Sequence, residues 1–355
     1  EGEEGKFYVW DKAEIDTVLG QDAAAFCTVY DVQSGGNWEG KTILNRSGSM
    51  AWDDDVEAEM APLRAKLFDT RAPRIRPSRD DKVLADWNGM IIAALARAGV
   101  ALDRPDWLDL ARNIFSWVKD HMIANDGRLR HSLCAGKLKH PAVLEDYANL
   151  ARAALLMHEA TSETNYLDDA ISWVEIVETH YRDTQDGGYF MAATDTEGLI
   201  AQPKPIMDNA VPAGNGTIAE VLARLFLITG DDVYRTRAEA VFAIFVPEDA
   251  KNNLYHPTLM IAWELLAHGT QIVIVGANDH PMTQDLKSIA LATPNRLSIV
   301  TSVDPSTPLP TNHAAAGKGL VNGAPAAYIC VGPVCGLPIT TPVALADVLE
   351  QSGES

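Results

Sequence analysis

Acidic, amide and aromatic side chains cluster where four apolar helical segments of the chain begin. Such residue types suit a sugar, because carboxylates and amides hydrogen-bond to hydroxyl groups and aromatic faces stack on the apolar side of a sugar ring. We predict a catalytic acid or base role for Asp86, Glu145 and Asp146. We predict substrate-binding roles for Asp81, Trp87, Asn88, Tyr147, Asp208, Asn215 and His256.

Two reactions fit this set of side chains, and a structural role competes with both. Glycoside cleavage needs two carboxyl groups about 5–10 Å apart, one of them protonated. Epimerisation needs an acid and a base on opposite faces of the sugar ring. Asp86 and Glu145 also stand where helices begin, and acidic side chains there cap the helix and complement its dipole. Sequence alone leaves these readings open.

Metal and cofactor motifs are missing from the sequence. The histidines that fall inside or beside helical segments have no paired ligand spacing, and we predict that they are not ligands: His121, His131, His140, His158 and His180. Residues 316–319 lack the upstream glycine and the following Ser or Thr of a phosphate-binding P-loop. We therefore predict neither a metal nor a cofactor.

The elements that must position these side chains are helices in alternating pairs. Apolar helical segments begin near residues 86, 145, 208–215 and 257, and amphipathic segments follow at 107–121, 166–181 and 232–245. The repeat of about 50–65 residues is longer than that of common solenoids. Inner helices that are enclosed by outer helices have apolar residues on all faces. The pattern therefore predicts a mainly α fold of (α/α)6-toroid-like hairpins.

The two ends of the chain read differently from its middle. We predict a mixed N-terminal segment of the toroid over residues 1–50, with a short strand at 7–10, and helical hairpins over 51–268. Strands at 271–276, 297–301 and 326–330, with helices at 282–290 and 342–350, predict a small α/β appendage over 269–355.

Composition excludes several classes of partner. The chain has 29 Lys and Arg against 49 Asp and Glu, a net charge of −20, which argues against nucleic acid and anionic membranes. Apolar runs fall short of the roughly 18 residues of a spanning helix. The chain begins without a leader-like segment, so a cytoplasmic location is the default expectation. It also begins without a methionine, so we expect further residues before Glu1.

The cysteines do not form a recognisable redox motif. Cys330 and Cys335 have four residues between them, which is not the Cys-x-x-Cys spacing. We interpret them as a structural or adventitious pair, with a thiol role as the weaker alternative.

Several segments of the sequence resemble one known family. The most specific is Asp-Asp-Lys-Val-Leu-Ala-Asp-Trp-Asn-Gly at residues 80–89. The others lie at residues 1–10, 37–44, 63–68, 145–148, 187–190, 208–215 and 328–335. Over nearly its whole length the chain resembles the thioredoxin-domain-containing proteins related to spermatogenesis-associated protein 20.

The resemblance implies an N-terminal thioredoxin-like domain followed by an (α/α)6 toroid similar to six-hairpin glycosidases and N-acylglucosamine 2-epimerases. This chain would hold roughly four of the six hairpins and lacks the thioredoxin-like domain, which puts a redox role in doubt. Asn209 and Ala213 depart from the residue types usual in the family.

Two hypotheses of function follow. In the first, the protein acts on or binds a carbohydrate or another small molecule through its acidic clusters. In the second, it is a non-catalytic binding or interaction module whose partner is a thioredoxin-like domain or a client protein.

Overall fold

The computed structural model describes residues 2–245, 255–293, 297–307, 309–332 and 334–352. The chain divides into two compact units, Glu1–Asp80 and Asp81–Ser355. Each unit has its own hydrophobic core. None of the helices in the described ranges combines the length and the apolar character needed to span a bilayer.

The first unit is built from three α-helices, α1 (Lys12–Leu19), α2 (Ala23–Val29) and α3 (Asp54–Arg71), with a 3-10 turn at Gly20–Asp22 between the first two. The Asp53 side chain accepts the N–H groups of Asp55 and Val56 and so caps α3. The strand predicted at residues 7–10 is wrong, because Phe7 and Tyr8 lie in a turn and Trp10 makes only an isolated β-bridge, with Thr42.

The division at Asp80 differs from the predicted boundary at residue 50. Met60, Leu63 and Leu67 of α3 share a core with Ile15 and Phe26 of the preceding helices. This shared core joins α3 to the N-terminal residues rather than to the helical hairpins that follow.

Helical hairpins form most of the second unit. The inner helices are α4 (Ala85–Ala101), α6 (Leu144–Thr161), α8 (Gly214–Thr229) and α10 (Pro257–His268). The outer helices are α5 (Pro105–His121), α7 (Thr164–His180) and α9 (Asp232–Phe245). Each inner helix packs on the next inner helix, and α4, α6 and α8 each pack on the outer helix that follows. The predicted mainly α fold of toroid-like hairpins is confirmed.

Glycine allows the inner helices to approach closely. A Cβ atom on Gly89 of α4 would lie 2.7 Å from the carbonyl carbon of Asn149 in α6. A Cβ atom on Gly214 would lie 2.9 Å from the Leu144 side chain and 3.0 Å from the Glu145 carboxyl carbon. Glycine therefore brings the starts of α4, α6 and α8 near one another.

A small antiparallel sheet, which the sequence did not predict, lies beside the first inner helices. Its strands are β1 (Val83–Leu84), β2 (Arg130–Cys134) and β3 (Lys137–Pro141), in that order. Val83 and Leu84 pair with Leu133 and Ser132. Because β1 leads directly into α4, this pairing holds the middle of β2 against the start of that helix.

The C-terminal part is the predicted α/β structure. It contains β4 (Thr270–Val275), α11 (Pro281–Ala292), β5 (Ser298–Val303), β6 (Ala326–Val331), β7 (Val334–Cys335) and α12 (Pro342–Ser352). The sheet order is β5-β4-β6-β7, with β4 and β5 parallel and the other pairs antiparallel. A disulfide between Cys330 and Cys335 joins β6 to β7.

Candidate active site at the inner-helix starts

Asp146 organises the place where α4 and α6 begin. Its carboxylate accepts the backbone N–H of Asp86 at 3.0 Å and that of Val143 at 2.8 Å. The same carboxylate lies 3.0 Å from Nδ1 of His131 on β2. Asp146 is fully buried and has three hydrogen-bond partners, so it positions both helix starts and the His131 ring.

Asp86 and Glu145 are the acids left for chemistry. Asp86 is 7% exposed, and its carboxylate accepts the N–H of Trp87 at 2.8 Å. Burial raises the pKa of Asp86, and the neighbouring charge of Asp146 raises it further. Burial likewise raises the pKa of Glu145. Carboxyl groups of this kind stay protonated to higher pH and can act as general acids.

The two oxygens of Glu145 have different surroundings. Oε1 accepts the N–H of Gly214 at 3.3 Å, which links this carboxylate to the start of α8. Oε2 is buried and has no hydrogen-bond partner among the described residues. A buried charged oxygen without a partner is costly, so Oε2 is a natural position for a proton.

His131 is the functional candidate that the sequence missed. Its hydrogen bond to Asp146 raises the pKa of the imidazole, and the nearby charges of Asp86 and Glu145 act in the same direction. The side chain is about one-third exposed. An imidazole held by a buried carboxylate and open to solvent is suited to proton transfer.

The same group could also surround a cation. Ligand atoms of Asp86, His131 and Asp146 all lie within 4.8 Å of one another. Such a cation would have to compete with two backbone N–H groups and the imidazole for the oxygens of Asp146. The absence of a metal stays a prediction.

The other residues predicted to bind substrate near the starts of α4 and α6 differ in their exposure and contacts. Trp87 is 59% exposed beside Asp86 and is free to contact a ligand ring. The Asn88 amide donates to the carbonyl of Leu84 at 2.7 Å. Asp81 is exposed. Tyr147 is completely buried and its hydroxyl accepts the N–H of Leu129, so it is a core residue and cannot be the predicted stacking platform.

Near the start of α8, the predicted binding residues Asp208 and Asn215 hydrogen-bond to backbone groups instead of facing a ligand. The Asp208 carboxylate accepts the N–H of Ala213 at 2.8 Å and that of Thr258 at 2.7 Å, which connects the starts of α8 and α10. The Asn215 amide is fully buried, and both of its polar atoms bond to the backbone of Tyr189. These contacts leave neither side chain directed to a ligand.

His256, the last of the residues predicted to bind substrate, directly precedes α10. Its Nδ1 atom is buried without a hydrogen-bond partner among the described residues. The structure therefore brings together Asp86, Glu145, Asp146 and Trp87 and adds His131, while Nδ1 of His256 bonds to none of them.

Replacing Asp146 should lower the pKa of His131. In Asp146→Asn the imidazolium loses its anionic partner, so the proton leaves His131 at lower pH than in the parent protein. An NMR titration of the His131 ring protons measures this change. Glu145→Gln is the matched control, since Glu145 acts on His131 only through its charge. Equal shifts in the two variants would contradict a positioning role for Asp146.

Comparison with known proteins supports the resemblance predicted from the sequence. No family model matches the chain. The chain is 27% identical over 389 residues to spermatogenesis-associated protein 20 of Homo sapiens, covering 98% of this chain and 49% of that protein. It is 25% identical to an uncharacterized protein of Caenorhabditis elegans, covering 95% and 50%. The chain thus spans about half the length of these relatives, and a thioredoxin-like domain stays a prediction.

Solved structures with similar backbones are sugar enzymes by name. One is the cellobiose 2-epimerase of Bacillus thermoamylovorans B4167, with a TM-score of 0.44 and 12% identity over 73% of this chain and 67% of that chain. Another is an inactive variant of an α-1,6-mannanase of Salegentibacter sp. HEL1_6 in complex with α-1,6-mannotriose, with a TM-score of 0.43 and 15% identity over 79% and 85%. These similarities are too low to assign a role to any side chain of this protein.

Proposed function

We propose that the protein binds a carbohydrate at the starts of α4 and α6 and transforms it by acid–base chemistry. The observation that carries this proposal is the pair of carboxyl groups, Asp86 and Glu145, whose pKa values burial raises beside a histidine paired with an aspartate. Glu145 would donate a proton as the acid, and His131 would accept or relay one.

The remaining groups at this place suit a polyhydroxylated ligand. Trp87 offers an exposed aromatic face next to the acids. Oε2 of Glu145 is enclosed and has no hydrogen-bond partner among the described residues, so a sugar hydroxyl that reached it would satisfy it. Hydrolysis and epimerisation both need such an arrangement, and direct identification of the products separates them.

A non-catalytic binding module is the second candidate. One observation favours it: the side chains of Asp146, Asp208 and Asn215 all hydrogen-bond to backbone groups of this chain. In that case the acidic side chains mainly hold helix starts in place, the parent protein converts no sugar, and substitution of Asp86 or Glu145 changes stability only.

Ligand binding and turnover can be tested on the full chain. A panel of mono- and disaccharides is screened by thermal shift, since a ligand that binds the native state raises the Tm. The sugars that bind are then incubated with the protein, and products are identified by NMR. We expect Asp86→Asn and Glu145→Gln to lower the rate by about 100-fold or more.

Glu264→Gln is the control variant, because Glu264 is an exposed acid on α10, outside the proposed site. It should behave like the parent protein. Failure of every sugar to raise the Tm would reject carbohydrate binding. Binding without turnover, unchanged in both variants, would favour the non-catalytic module.

A further inference from the structure

A serine and a lysine meet at the opposite end of α6 from the acidic cluster. Nζ of Lys287, on α11, lies 2.5 Å from Oγ of Ser162, which directly follows α6. Ser162 is 17 residues after Glu145, or about 25 Å along a helix. We propose that Ser162 and Lys287 form a nucleophile–base pair that transfers the acyl group of a short-chain ester.

The backbone of Ser162 is in a conformation that favours glycine. Its φ is +65°, in the left-handed region. Gly230 follows α8 in the same conformation, with φ +73°, and glycine adopts it without a steric cost. A serine here carries conformational strain, and strained backbone is common at residues that hold a reactive side chain.

The surroundings of Lys287 make its proton easier to lose than that of an ordinary lysine. Burial lowers the pKa of Lys287 to about 8, and the charge of Arg112 on α5 acts in the same direction. The charges of Glu159 and Glu163 oppose this shift, and His158 of α6 also lies near enough to interact with the lysine. A lysine that loses its proton near neutral pH can serve as a general base.

Both side chains line one cavity of about 290 Å³. This volume is at the lower end of ligand-binding cavities, so it suits a small acyl group. Thr283 and Ser302 also line the cavity, and their hydroxyl oxygens are buried without a hydrogen-bond partner among the described residues. The wall of the cavity therefore contains two uncommitted polar groups beside the Ser162–Lys287 pair.

The reaction has two balanced steps. Neutral Lys287 takes the proton of Ser162 as Oγ forms a bond to the ester carbonyl carbon. The ester C–O bond then breaks, and Lys287 returns the proton to the departing alkoxide. In the second step Lys287 removes a proton from water, the resulting hydroxide attacks the acyl-serine, and Ser162 recovers its proton as the carboxylic acid leaves.

Covalent labelling tests the pair directly. The full chain is treated with a fluorophosphonate probe, and the modified residue is identified by peptide mass spectrometry; hydrolysis of p-nitrophenyl acetate is followed in parallel. We expect one adduct, on Ser162, formed at a rate that rises with pH around a midpoint near 8. Ser162→Ala should abolish the adduct.

Lys287→Arg separates a reactive role from a structural one. Arginine keeps the positive charge and the hydrogen bond to Ser162 but cannot accept a proton. We expect an unchanged Tm and labelling at least about 100-fold slower. Ser116→Ala, an exposed serine on α5, is the control and should label normally. No adduct on Ser162, or equally fast labelling of Lys287→Arg, would overturn the proposal.

Discussion

Arg224→Leu should destabilise the second unit by about 3–5 kcal/mol, because it removes the cation from a buried ionic network. Arg224 is 3% exposed. Its Nε donates to Glu220 at 2.8 Å and its Nη1 to Glu159 at 2.8 Å. Without Arg224, two carboxylates in the interior of the inner helices lose their main counter-charge. Urea unfolding followed by circular dichroism measures the loss.

The loss should depend on pH with a definite sign. Burial already raises the pKa of Glu159 even in the presence of Arg224. Without the arginine the native carboxyls bind protons more readily than the unfolded ones, so stability decreases as pH rises. We therefore expect the variant to be less destabilised at pH 5 than at pH 8.

Matched variants show whether the lower stability of Arg224→Leu comes from the ionic network or from lost packing. Arg224→Leu combined with Glu159→Gln removes the carboxylate that accepts from Nη1 of Arg224, while Glu220 keeps Arg152 at 3.5 Å as a counter-charge. The amide oxygen introduced by Glu159→Gln can still accept the N–H of Val300. This variant should recover most of the lost stability. Arg235→Leu breaks an exposed pair with Glu239 and should change little. An Arg224→Leu protein as stable as the parent, or no recovery in the combined variant, would contradict this account.

Much of the fold could be predicted from the sequence because apolar periodicity and helix-start residues lie close together along the chain. The helix start predicted near residue 86 lies at Ala85, and the start predicted within residues 208–215 lies at Gly214. Tyr147 was misassigned because it is adjacent to Asp146. Successive helical residues differ by about 100° around the axis, so the Tyr147 side chain leaves α6 in a different direction from that of Asp146 and lies in the core.

Contacts between distant segments could not be predicted. His131 belongs to a strand of mixed polar character whose partner strands begin at Val83 and Lys137, and no alternation marks it. Ser162 and Lys287 are 125 residues apart and meet only because α11 packs near the end of α6. A single side chain without a local pattern carries no signal of its partner.

Gly89→Val should destabilise the second unit by about 3 kcal/mol, because the added side chain collides with backbone. A Cβ atom there would lie 2.7 Å from the carbonyl carbon of Asn149 and 2.9 Å from the nitrogen of Leu150. Neither atom can move without displacing α6. Removal of glycine from a helix normally stabilises it by about 0.5–1 kcal/mol, so the sign of the change is itself informative.

The same variant should also disturb the candidate active site. Gly89 is one helical turn from Asp86, whose N–H donates to Asp146. Separation of α4 from α6 would lengthen this hydrogen bond. We therefore expect Gly89→Val to alter the NMR titration of His131 as well as to lower the midpoint of urea unfolding. Gly319→Ala is the control, since a Cβ atom there meets no atom within 4 Å. If Gly89→Val unfolded at the same urea concentration as Gly319→Ala, close contact of the inner helices would not be what holds Asp86 against Asp146.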